Sequence, residues 1–141
     1  MQRAVRDPPT LRSLIDPHDL KLLESRRPAD RRVAVEALGR VGDGHAIELL
    51  TASLRDPDVD VMFEAAKMLA QIGDDRAADG LLSVASDEAC PVVRRVVAVG
   101  ALGDVTAVPE RAVAALHRLA RGRDSWLHSA AKAALVRLMR Y

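Results

Sequence analysis

A chain of 141 residues with 49% hydrophobic and 29% charged side chains has the size of one domain and too much apolar content to stay disordered. Only 2% of the residues are aromatic, so the core must be built from Ala, Val, Leu and Ile, which suits close-packed helices better than a β-sandwich. A formal net charge of +1 argues against a global field for nucleic acid or membrane, and the single cysteine, Cys90, rules out an internal disulfide or a thiolate zinc cluster.

The opening residues, MQRAVRDPPTLRS, lack the apolar run of a signal peptide, and no apolar run reaches membrane-spanning length, so the expected compartment is the cytoplasm. LRSLI (11–15) predicts a short helical turn and DPHDLKLLES (16–25) a lone helix, together an N-terminal cap over residues 1–27. From residue 28 onward the chain repeats itself. The segments AVEALG (34–39), AAKMLA (65–70), AVGALG (98–103) and AKAALV (131–136) align on Leu38, Leu69, Leu102 and Leu135, spaced by 31, 33 and 33 residues. An alanine stands four residues before each leucine (Ala34, Ala65, Ala98, Ala131), and an aliphatic three after it (Val41, Ile72, Val105, Leu138). Those positions share one face of a helix, with a small residue at the closest contact.

A second helix is expected after each of the first three. Gly42-Asp43 and Gly73-Asp74 supply a left-handed helix end followed by an N-cap, then AIELLTASL (46–54) and AADGLLSVA (77–85) carry the apolar stripe. In the third unit Pro109 opens ERAVAALHRLAR (110–121), where a missing N–H costs nothing in a first turn. The units therefore run about 30–55, 58–86, 91–122 and 125–141, within a single array over 28–141.

Helix pairs at this period predict a solenoid whose neighbours share one lengthwise core. The pattern resembles HEAT repeats of the short bacterial, phycobilin-lyase-like variety, D-x-D-x-x-V-R-x-x-A-x-x-A-L-G-x-I-G-D. DPDVDVMFEAAKMLAQIGD (56–74) and DRRVAVEALGRVGD (30–43) carry it best. The resemblance implies an all-α, right-handed α-solenoid of about three and a half to four helix pairs. It also departs from the pattern. The arginine falls on Arg31 and Arg95 but is Met62 and His128 elsewhere, and the third unit has Thr106-Ala107 in place of Gly-Asp.

The chemical motifs are weak by comparison. In DPDVD, Asp56, Asp58 and Asp60 copy the first ligands of a calcium loop, but the sixth and twelfth positions are Val61 and Lys67 instead of Gly and a bidentate Glu. Turn and capping chemistry accounts for them instead. The histidines at 18, 45, 117 and 128 lack the spacing that puts two ligands on one helix face, and Cys90 precedes Pro91 in a loop. No nucleophile elbow, P-loop or dinucleotide fingerprint occurs. The expectation is thus no catalytic residue, no metal and no cofactor.

What remains is surface. Second helices of a solenoid line its concave side, where such proteins bind extended partners. The columns there gather Arg55, Arg76, Arg111, His117, Arg118 and Arg121, a set suited to an acidic or phosphorylated segment of another protein. The helix 126–139 has no second helix after it, and Trp126, Leu127, Val136 and Met139 widen its apolar face, as a cap or as a homodimer or partner contact. Two further readings stay open. One is a tetrapyrrole-handling subunit, implied by the resemblance alone. The other is nucleic-acid binding at the basic end, where residues 105–141 hold seven basic and two acidic side chains together with Trp126.

Overall fold

Aspartate, proline and glycine set the boundaries of the helices. In the computed structural model, which describes residues 14–139, eight helices and no strand are present among the described residues. They are α1 (Pro17–Leu22), α2 (Pro28–Val41), α3 (Gly44–Ser53), α4 (Val59–Ile72), α5 (Asp75–Ala85), α6 (Val92–Leu102), α7 (Glu110–Ala120) and α8 (Ser125–Leu138). Asp43, Asp58, Asp74 and Asp124 each accept first-turn N–H groups of the helix that follows, satisfying donors with no partner inside the helix. Gly42 and Gly73 end α2 and α4 with φ of +63° and +67°, where a side chain would be strained. The third unit lacks this device. Gly103 stays right-handed with φ −68°, and the chain runs on to Pro109 before α7 begins.

The first helices α2, α4, α6 and α8 stack side by side, and α3, α5 and α7 form the layer behind them, with α1 packed on α2. Ala34, Ala65, Ala98 and Ala131 are fully buried, as are Leu38, Leu69 and Leu102. Leu50, Leu81 and Leu116 meet them from the second helices with no exposure. Each such leucine removed from water contributes about 1.5–3 kcal/mol, which is what the pairs gain by stacking and could not gain alone. Of the LRSLI turn, residues 11–13 lie outside the described residues and the last two are not helical. Instead the Leu14 N–H donates to the Asp43 carboxylate at 3.2 Å, and Ile15 is buried in the core.

The first helices do not touch one another equally, and the residue that follows each aligned leucine differs in step with this. It is Gly39, Ala70 and Gly103 in α2, in α4 and just after α6. A Cβ at Gly39 would collide with the Met68 side chain of α4, and one at Gly103 would lie 2.8 Å from the Ala134 Cα of α8. Both glycines therefore let the next helix come close. Ala70 carries a methyl at the same place, and α4 and α6 lie together over a shorter stretch than α2 and α4 or α6 and α8. A seam opens between α4 and α6.

Candidate functional site

Two faces can receive a partner. On the second-helix face the sequence-predicted arginines divide into two groups. Arg55 donates to Asp87 at 2.9 Å, Arg111 to Asp79 at 2.7 Å and Arg76 to Asp74 at 3.2 Å. The Arg55 guanidinium, with help from the Ala89 N–H, holds the Asp87 carboxyl below the usual range. The Asp74 carboxyl is lowered by the Ala77 N–H at the start of α5, then by Arg76. These three arginines are already occupied by carboxylates of their own array. His117, Arg118 and Arg121, at the end of α7, are exposed, and no carboxylate lies against them among the described residues. The six residues thus share a face but not a state. Their unspent charge sits at one end. Between α3 and α5 the same face has a shallow cleft of about 520 Å³ lined by Glu48, Thr51, Arg76 and Asp79.

The first-helix face carries the larger concavity, which sequence reasoning missed. The seam between α4 and α6 forms a cleft of about 820 Å³, floored by Ala66, Ala70, Val97, Gly100 and Ala101 and lipped by Phe63 and Lys67. Gln71, Asp104 and Arg137 close one end. Arg137 donates to Asp104 at 3.2 Å and to the Gly100 carbonyl at 2.7 Å. A signal was present in the aligned columns, because Phe63, the chain's one phenylalanine, stands where α2 has Arg32.

The DPDVD run does local work. Asp56 accepts both Arg31 nitrogens at 2.8 and 3.0 Å, while Asp58 caps α4 through the Asp60 and Val61 N–H groups. Among the described residues no three His, Cys, Asp or Glu side chains come together as a metal site, and no helix is long and apolar enough to cross a membrane.

Compared with known proteins, residues 17–99 match the family model described as HEAT repeats. This chain belongs to the HEAT-repeat family. The structure of human deoxyhypusine hydroxylase in complex with glycerol is similar at a TM-score of 0.74 and 21% identity, over 95% of this chain and 46% of that one. An engineered protein is similar at 0.52 and 22%, over 85% of this chain and 60% of that one. The chain therefore spans less than two thirds of either, and at these identities the likeness concerns the HEAT fold. No curated protein matches it in sequence.

Within the HEAT array, α8 is a first helix with no second helix behind it among the described residues. Trp126, Val136 and Met139 are 72%, 54% and 82% exposed, as a contact face would require. Leu127 is not part of that face. It occupies the register of Val61 in α4, turns inward and is 3% exposed. In the middle of the face stands Lys132, exposed, where the other first helices bury Val35, Ala66 and Val99.

Proposed function

We propose that this HEAT array is a non-catalytic interaction module that receives an acidic or phosphorylated segment of another protein on its second-helix face. His117, Arg118 and Arg121 take the carboxylates or phosphates, and the cleft beside Arg76 receives the continuing chain. The observation that carries the reading is the unequal pairing of the arginines. Where Arg55, Arg76 and Arg111 are neutralised by Asp87, Asp74 and Asp79, the end of α7 keeps Arg118 and Arg121 with no carboxylate against them among the described residues. Guanidinium forks suit such ligands because two parallel N–H donors match two oxygens.

The test is affinity capture from the source lysate, with and without nuclease, using the wild-type chain and Arg118→Ala/Arg121→Ala. One stoichiometric protein that survives nuclease and is lost at least about tenfold with the double variant supports the reading; about 1.4 kcal/mol suffices for that change. Equal capture by both moves the site off this face. Material that vanishes with nuclease replaces the reading with a nucleic-acid surface, whose affinity would fall steeply with salt.

A further inference from the structure

We propose that the cleft between α4 and α6 is a second docking site, on the opposite layer, and that its occupant is an amphipathic helix of a partner protein bearing a carboxylate. The proposal does not rest on the arginine face. Its first support is how exposure is distributed. Val33, Val59, Phe63, Val93, Trp126 and Val136 are exposed large apolar side chains, and all of them belong to first helices; no second helix has one among the described residues. Of these, Phe63 stands on the cleft itself, where a large exposed apolar side chain overhangs a floor of small ones.

Gly100 is the second support. It lies inside α6, where glycine disfavours the helix relative to alanine. Gly39, inside α2, offsets a like cost by admitting α4, but a Cβ on Gly100 would meet nothing within 4 Å among the described residues. Folding has no use for the glycine. Its bare backbone faces the cleft, where it lets an incoming chain approach closely.

Size and charge choose the occupant. From Phe63 to Gln71 the α4 wall spans about 12 Å at ~1.5 Å per residue, a little over two helical turns. A helix laid in such a trough buries a stripe of small side chains against Ala66, Val97 and Gly100. Along the lip, Lys67 and Arg32 share one carboxylate, Glu64, at 3.9 and 3.8 Å, so this trio keeps one positive charge. At the far end Arg137 and Asp104 cancel each other. Of the two cations of the trio, Lys67 is the one that lines the cleft, with its side chain 61% exposed, and that is where the partner's carboxylate belongs.

The experiment uses the full isotope-labelled chain and two synthetic helical peptides about fourteen residues long, long enough to hold a helix when bound. Both carry the same Ala/Leu stripe, flanked by Glu in one and by Lys in the other. The Glu peptide should shift the amides of Phe63, Gly100 and Asp104 while leaving Arg118 and Arg121 unmoved. It should bind about fivefold more tightly than the Lys peptide, the ratio a single exposed ion pair supplies. Lys67→Glu should reverse that order. Gly100→Leu should weaken the Glu peptide more than about tenfold by filling the trough. Gly100→Ala serves as the folding control and should raise Tm, since the methyl has room and alanine favours the helix. The proposal is overturned if neither peptide shifts these amides, if both bind equally, if the shifts fall on α7, or if a folded Gly100→Leu binds as wild type does. Arg118→Ala/Arg121→Ala should leave this titration unchanged, so the two sites succeed or fail separately.

Discussion

Asp56 joins two repeats. Its Oδ2 accepts Arg31 Nε from the preceding unit, and its Oδ1 accepts both Arg31 Nη2 and the Asp58 N–H, which fixes the turn into α4. Partial burial pushes the Asp56 carboxyl up, but the hydrogen bonds from Arg31 and Asp58 outweigh it and hold the group below the usual carboxylate range. Asp74 and Asp87 are lowered as well. A carboxyl whose folded pKa is depressed binds fewer protons folded than unfolded. Its contribution is therefore complete above its unfolded value of about 3.9 and is lost as pH falls through the lower folded value. Thermal melts should show Tm level near neutrality and falling below about pH 4. Asp56→Asn should lower the plateau and shallow that acid limb, and an unchanged limb would remove Asp56 from the linkage. The capping role of Asp58 was legible in the sequence, because an aspartate ahead of a periodic run has few other uses. The Arg31 partnership was not, since the two residues are 25 apart and nothing local joins them.

At the scale of the element, α4 carries the clearest local conflict. Glu64 occupies the position held by Val33, Val97 and Ala130 in the other first helices, yet it is only 8% exposed. Its cations, Arg32 and Lys67, stand at 3.8 and 3.9 Å, beyond hydrogen-bonding length, so they repay little of the cost of desolvating a carboxylate. Glu64→Val should leave Tm unchanged or raise it, by roughly 1 kcal/mol of stability. A clear loss in a denaturant titration would show that the long ion pairs are net favourable. The same helix shows why its aligned leucine was easy to read and its seam was not. Leu69 recurs at every period, and recurrence is visible in one dimension. At the opening between α4 and α6, Ala70 stands where Gly39 and Gly103 stand in the closer pairs, and that difference can act only once the next helix is in place. Likewise, the arginine columns could be placed on a face, but not matched with carboxylates on the neighbouring repeat. Arg55–Asp87, Arg111–Asp79 and Arg137–Asp104 are 32, 32 and 33 residues apart, which is the repeat period itself.

For the whole molecule, Lys132 decides how the array meets its own copies. It replaces the buried Val35, Ala66 and Val99 of the earlier first helices with an exposed ammonium, beside Val136 and Met139. An exposed ammonium there opposes apolar pairing of this face with the same face of another copy. Lys132→Val should produce concentration-dependent self-association in sedimentation velocity, and a variant that sediments as wild type does at every concentration would relieve Lys132 of that role. The order of helices and the shared core were readable because every repeat restates them. The position of the free charge and of the trough was not, because each arises where one repeat differs from its neighbours. Those differences also have a mechanical side. Gly39 and Gly103 draw α2 to α4 and α6 to α8, while across the middle of the array the packing of α5 on α6 carries most of the join. The centre of the array is thus held from the second-helix side, and an occupant of the trough would brace the same join from the other side, as a second leaf does a hinge.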